Sequence, residues 1–153
     1  MIKKNWFIAF FAIAVFLHAE AQVPRNAIYF ELMGPGIILS LNYERYHYIG
    51  EKSHLGFNFG VGINGNKSDI YKPYVPVTLT YNLGARKNFL ETGIGYTFSA
   101  VENEGATHIV IGYKKMVANS LMLKFRFSPF LVRSEDDYKI RPWIGLGILG
   151  YAF

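Results

Sequence analysis

The sequence predicts an all-β fold in which eight antiparallel strands close into a barrel with an apolar outer surface. Apolar and small polar residues alternate with a period of two after residue 22, and no long stretch has the 3.6-residue period of a helix. Aromatic residues make up 17% of the chain, which is too high a share for a linker or a disordered segment. The chain ends in a glycine-rich apolar stretch, residues 142–153, whose last residue is Phe153.

The first 21 residues have the pattern of a secretory signal peptide. Lys3 and Lys4 precede a short apolar run, and Ala19 and Ala21 then form a small-x-small cleavage site. The apolar run is shorter than the roughly 20 residues that a membrane-spanning helix needs, which disfavours an uncleaved anchor. We therefore expect a signal peptide over residues 1–21 and a single β-barrel domain over residues 22–153.

Cleavage of this signal peptide predicts the mass of the mature protein. Cleavage after Ala21 leaves Gln22 as the first residue, so the intact mass of protein extracted from membranes should match residues 22–153. Residues 22–153 produced without the leader and refolded provide the reference mass. A membrane-extracted chain that still carries Met1 would show that the segment is not cleaved.

Eight alternating segments define the predicted strands. Their outward apolar positions fall within residues 28–32, 39–43, 55–63, 75–83, 90–98, 109–113, 121–127 and 144–153. Between the first two segments, residues 34–36 read Gly-Pro-Gly and predict a tight turn, with Pro and Gly at the central positions that type II favours. In the eighth segment Ile148 and Tyr151 are in opposite phases, and a bulge near Leu149 would bring both to one face.

The two faces of these strands differ in size and polarity. One face carries large apolar and aromatic side chains, and the other carries Gly, Ser, Asn, Thr and a few charges. Eight strands leave an interior that side chains alone fill, so the large set cannot all point inward. The small polar set is a poor outer surface and a good lumen. The sequence therefore predicts a transmembrane barrel in preference to a soluble, lipocalin-like one.

The final strand resembles that of a known family. Phe153 as the last residue, with Tyr151 two positions before it, is similar to the ending of small bacterial outer-membrane barrels of the OmpA and OmpX type. The resemblance implies that these two aromatic residues form the signal recognised by the barrel assembly machinery. It also implies a monomer with both termini in the periplasm, surrounded by the phospholipid and lipopolysaccharide of a Gram-negative outer membrane.

Six charged residues lie in the inward phase of the predicted strands. They are Glu31, Glu44, Glu91, Lys114, Lys124 and Arg126. A lone charge away from bulk water is costly, so we expect these side chains to pair across the lumen. With three acids and three bases, the lumen has no excess of one charge sign that could select ions. This balance favours a salt-bridged plug that holds the strands in register, with an ion path or a proton-coupled site as the alternative.

Other functional classes have weaker support. The formal net charge of +5 is diffuse, with no basic run longer than two residues, which argues against nucleic acid as a partner. Zero cysteines exclude a disulfide framework, and we expect neither a cofactor nor a metal site. The alternative from another class is a lipid-modifying enzyme, a lipid A deacylase or acyltransferase. His108 near the outer end of the sixth strand, with Ser99 and Glu102 nearby, could serve it, but no His-x-Ser pair occurs. We therefore expect no enzyme.

Overall fold

The structure, a computed structural model, is a closed antiparallel barrel of eight strands, as the sequence predicts. It describes residues 24–63, 72–85, 87–101, 104–117, 120–134 and 137–153, and the predicted signal peptide lies outside them. The strands are β1 Asn26–Leu32, β2 Leu39–Gly50, β3 Ser53–Ile63, β4 Pro73–Ala85, β5 Asn88–Ser99, β6 Gly105–Met116, β7 Leu121–Phe127, β8 Phe130–Ser134, β9 Asp137–Arg141 and β10 Ile144–Ala152. The described residues contain no helix long and apolar enough to cross a membrane.

β7 and β8 are two parts of one barrel strand, and β9 and β10 are two parts of the next. β6 pairs with both β7 and β8 in a single register. The last two barrel strands also keep one register, from Ile144 opposite Phe127 to Arg141 opposite Phe130. This register places two prolines, at positions 129 and 142, opposite each other. Neither has an N–H to donate, so the ladder is interrupted there while the barrel strands continue.

Pairing of β1 with β10 closes the barrel. Ala27 lies opposite Ala152, and the Phe153 carbonyl accepts hydrogen bonds from the backbone N–H groups of Arg25 and Asn26, at 3.1 and 2.9 Å. We call this end, which carries Pro24, Phe153 and the β2–β3, β4–β5 and β6–β7 connections, the turn end. The opposite end, with the β1–β2, β3–β4, β5–β6 and β8–β9 connections, is the loop end.

β10 contains one extra residue relative to both of its neighbours. Against β1 the register shifts between Ile148 and Tyr151, and against β7 it shifts between Gly147 and Gly150. This is the place at which the sequence predicts a bulge, near Leu149. The extra residue brings the two halves of β10 into the same phase, so apolar side chains on both halves reach the outer surface.

The two faces of the barrel wall have the predicted polarity. Outward side chains such as Phe57, Ile94 and Phe125 are more than half exposed, whereas inward Asn58 and Thr78 are buried. Soluble monomers rarely expose a continuous apolar patch of more than a few hundred Å². Here such side chains cover the outer wall on strand after strand. A wall of this kind requires lipid around it, so the barrel is of the transmembrane type.

The β1–β2 turn lies where the sequence predicts it, but it is not of type II. The Ile37 N–H donates to the Gly34 carbonyl at 2.8 Å, as in a β-turn. A type II turn needs a positive φ at Gly36, and neither glycine has one; the positive φ angles are at Met33 (54°) and Ile37 (80°). The type II prediction is therefore wrong. Gly36 is needed for space instead, since a Cβ there would lie 2.3 Å from the Ser40 Cβ.

The same turn folds into the loop end of the barrel. The Thr97 hydroxyl on β5 donates to the Pro35 carbonyl at 2.8 Å, and the Trp143 indole N–H donates to the Ile37 carbonyl at 3.3 Å. These bonds hold the turn to strands that are far from it in the sequence. The sequence did not predict this arrangement, because the composition of a short turn does not show whether it leans into the barrel or away from it.

Candidate functional site

All six charged residues in the predicted inward phase lie inside the barrel. Glu31, Glu44, Glu91, Lys114, Lys124 and Arg126 are each at most 1% exposed. They come from β1, β2, β5, β6 and β7. Closure of the barrel brings these distant strands around one lumen, so the charges form a single cluster. We call these six residues the lumen cluster.

Arg126 lies at the centre of the lumen cluster. Its guanidinium donates two hydrogen bonds to the Glu91 carboxylate, from Nε to Oε2 at 3.1 Å and from Nη2 to Oε1 at 2.8 Å. A third bond runs from Nη1 to Oε1 of Glu31 at 3.3 Å. One cation on β7 therefore binds acids on β5 and β1 together. Paired Arg–carboxylate bonds of this kind are among the stronger hydrogen bonds in proteins.

Lys124 lies one inward position before Arg126 on β7. Its ammonium is 2.5 Å from Oε2 of Glu44 and 3.4 Å from Oε1 of Glu91. It also lies over the Tyr29 ring, 4.6 Å from the ring centroid, within the range of a cation–π contact. Because Lys124 and Arg126 share Glu91, the ion pairs are continuous from β2 through β7 to β5 and β1.

Lys114 extends the lumen cluster toward the turn end. Its ammonium is 3.7 Å from Oε1 of Glu44, 2.9 Å from Nε2 of His54 and 4.3 Å from the centroid of the Tyr46 ring. An ammonium can only donate, so Nε2 of His54 is the acceptor and the imidazole is neutral with its proton on Nδ1. His54 was not among the site residues predicted from the sequence. The alternation along β3 could have identified it, because it puts His54 on the same inward face as Asn58.

Two buried tyrosines complete the lumen. The Asn58 amide donates to the Tyr29 hydroxyl, and the Tyr46 hydroxyl donates to Oε2 of Glu44 at 3.1 Å. The alternation of β1 places Tyr29 on the same inward face as Glu31. However, the inward set predicted from the sequence consisted of small polar residues and charges. The two phenol rings were not predicted; the Lys124 ammonium lies over the Tyr29 ring and the Lys114 ammonium over the Tyr46 ring.

His108 lies inside the barrel and not at its rim. It is buried, with Nε2 at 3.0 Å and Nδ1 at 3.4 Å from the hydroxyls of Thr78 and Thr97. Ser99 lines the loop end of the lumen, and Glu102 lies outside the described residues. Among the residues that are described, no carboxylate hydrogen-bonds His108, although a nucleophile–base arrangement uses such a group to orient the base. The same residues contain no group of three metal-ligating side chains.

Tyr151 and Phe153, the residues of the predicted assembly signal, lie together at the turn end. Their rings stack at a centroid distance of 6.1 Å and an interplanar angle of 24°. The Phe153 ring is 47% exposed, while its backbone N–H donates to the Asn26 carbonyl at 2.8 Å. The backbone of the last residue therefore belongs to the barrel ladder, and its side chain faces outward.

Comparisons with known proteins bear on the fold. No protein-family model matches the chain, and no curated protein matches it. Among solved structures, the barrel is similar to the N-terminal β-barrel domain of Pseudomonas aeruginosa OprF. The TM-score is 0.51 at 12% sequence identity, over 86% of this chain and 100% of that one. With its closed register, apolar outer wall and polar interior, the chain has the fold of the small, eight-stranded, OmpA-like transmembrane β-barrels.

Proposed function

We propose that this protein is an integral outer-membrane β-barrel with a structural or surface-interaction role and a lumen closed by ion pairs. The observation that carries the proposal is the lumen cluster, whose six members are almost fully removed from solvent. Side chains that line an open aqueous channel stay hydrated. Burial of three acids and three bases in mutual contact instead supports a plug that joins opposite walls of the barrel.

Interfacial tyrosines support a membrane position for the barrel. Tyr43 and Tyr113 face outward, and their hydroxyls donate to the side-chain carbonyls of Asn26 and Asn88, both at 2.6 Å. Both pairs lie at the turn end. An aromatic ring directed toward lipid, with its hydroxyl held at the polar strand end, is the arrangement found at a membrane–water boundary. In this proposal the predicted leader exports the chain across the inner membrane, and the barrel then inserts into the outer membrane of a Gram-negative envelope.

The proposed partners follow from this location. Phospholipid on the periplasmic side and lipopolysaccharide on the outer side would surround the apolar wall, and the barrel assembly machinery would recognise Tyr151 and Phe153. Pairing of β1 with β10 and of β5 with β6 closes the ladder around the barrel wall, so that within the described residues an open edge remains only at the short β8–β9 hairpin of the loop end, which supports a monomer. The proposed role includes no catalytic step, and the buried position of His108 gives no support to its use as the base of a lipid-modifying reaction at the rim.

Planar-bilayer recording tests whether the lumen is closed. Refolded residues 22–153 should produce no discrete conductance steps, because the ion pairs leave no continuous hydrated path through the barrel. A general porin added to the same bilayers establishes that steps can be detected, and heat-modifiable gel mobility establishes that the sample is folded. Reproducible steps from the folded protein would replace the plug with a narrow channel.

A further inference from the structure

At the loop end, the inner face of the barrel carries large apolar and aromatic side chains. Beyond His108 it surrounds a cavity of about 340 Å³ that is open to the outside. Its walls include Ile37, Tyr74, Phe130 and Trp143. We call this cavity the vestibule. Its volume falls at the lower end of the roughly 300–1,000 Å³ found for small-molecule pockets, and such pockets are mostly apolar, with a few placed polar groups.

The aromatic walls of the vestibule are held in place by neighbouring groups. The Trp143 indole N–H donates to the Ile37 carbonyl at 3.3 Å, which joins the inward-folded turn to the residue that precedes β10. Phe130 lies edge-on to Trp143, with ring centroids 6.2 Å apart and an interplanar angle of 89°. Phe130 also contacts the His108 ring, and the centroids of these two rings are 5.3 Å apart. A binding wall that is already fixed loses little conformational entropy when a ligand arrives.

The vestibule has one cation at the level of these aromatic rings. Arg141 lines the vestibule and lies directly opposite Phe130 in the β8–β9 ladder, so the two side chains share the inner face. Arg141 is exposed, and it has no ion-pair partner among the side chains that the structure describes, which exclude those of residues 133–138. Glu104 also lines the vestibule but precedes the first residue of β6, closer to the rim. The group that sits beside the apolar walls is therefore a guanidinium.

We propose that the vestibule binds a small amphipathic carboxylate. Its aromatic or branched apolar body would pack against Trp143 and Phe130, and its carboxylate would pair with Arg141, whose planar fork matches that group. This site goes beyond the proposed structural role and depends only on the barrel fold. A failure to bind would leave the closed lumen untouched, since conductance measures the lumen separately.

Trp143 provides the reporter for the test. Besides Trp6 in the predicted leader it is the one tryptophan of the sequence, so refolded residues 22–153 carry a single indole. The protein, in phosphatidylcholine vesicles, is titrated with 4-phenylbutyrate, 4-phenyl-1-butanol and 4-phenylbutylamine, which share one body and differ in charge. A saturable change in Trp143 emission is expected, with affinity falling from the acid to the alcohol to the amine. A response that never saturates, or an amine that binds as tightly as the acid, would overturn the proposal.

Three variants separate the vestibule from the surrounding lipid. Arg141→Gln should weaken binding of the acid about threefold, as expected for an exposed charge pair, and leave the alcohol unchanged. Ala106→Phe places a ring in the vestibule and should abolish saturation for all three probes. In Trp143→Phe/Phe125→Trp the reporter faces lipid, so only a linear response from probe partitioning is expected.

These variants give the proposal two independent ways to fail. Folding of each variant is read from heat-modifiable gel mobility. If Ala106→Phe does not fold, the comparison of the acid with the alcohol in Arg141→Gln still decides. An undiminished preference for the acid in Arg141→Gln would remove Arg141 from the site. A saturable response from the lipid-facing tryptophan would mean that the probes bind the membrane and not the vestibule.

Discussion

Replacing Arg126 with alanine should lower the free energy of unfolding by roughly 3–5 kcal/mol, the range for breaking a buried ion pair from one side. Arg126 donates two hydrogen bonds to Glu91 and one to Glu31, and all three residues are buried. The variant would leave Glu31 without its cation and Glu91 with Lys124 alone. The cost comes mainly from carboxylates that stay buried without their partner and less from the attraction that is lost.

Urea unfolding of the refolded protein in lipid vesicles measures this change. Arg45→Ala is the matched control, because Arg45 is exposed and its removal should change the unfolding free energy by no more than about 0.5 kcal/mol. The double variant Arg126→Ala/Glu31→Ala should recover part of the loss, since it removes the acid that is left without its cation together with the base. An unchanged midpoint for Arg126→Ala would mean that this side chain is hydrated in the membrane, and the channel alternative would gain.

Replacing Phe153 with alanine should deplete the protein from the outer membrane of cells while leaving refolding in detergent intact. Full burial of a phenylalanine side chain contributes roughly 1.5–3 kcal/mol, and the Phe153 ring is 47% exposed in the barrel. The hydrogen bonds that join Phe153 to Arg25 and Asn26 are formed by the backbone and survive the change. The expected loss in cells is therefore kinetic, because the proposed assembly machinery no longer recognises the final strand.

Heat-modifiable gel mobility, compared between cells and refolded samples, measures the effect of this change. Phe127→Ala is the matched control, because Phe127 is also an outward, partly exposed phenylalanine but lies within the chain. It should reach the outer membrane at normal levels. Tyr151→Ala should fail in the same way as Phe153→Ala, but more mildly. Normal outer-membrane levels of Phe153→Ala would show that the last strand carries no assembly signal at this residue.

The position of each side chain relative to the barrel wall could be predicted from the sequence. In a strand, successive side chains point to opposite faces, so a period of two assigns a face as soon as one residue is placed. That rule put Phe57 and Ile94 outside and Glu44 inside before any contact was known. The same rule located the bulge near Leu149, because a change of phase within one strand requires an extra residue.

Which charges meet inside the barrel was decided by the tertiary structure. The sequence could assign three acids and three bases to the lumen, but a pair such as Lys124 and Glu44 depends on closure of β1 on β10 and on the height at which each strand crosses the barrel. Both are properties of the whole ladder and have no local signal. The phase of Tyr29 was visible, but that its hydroxyl would bond Asn58 across the interior was not.

The loop end shows the same division. Residues 34–36 predict a turn, and a turn forms there, because Pro35 restricts its own φ and Gly36 leaves room beside Ser40. Its inward lean, its contact with Trp143 and the vestibule that results depend on strands far away in the sequence. His108 likewise has the phase of an inner residue, but only the packed barrel buries it between Thr78 and Thr97. The sequence alone determined the face of each side chain, because alternation is local; the contacts were decided by the tertiary structure, because register and closure are not.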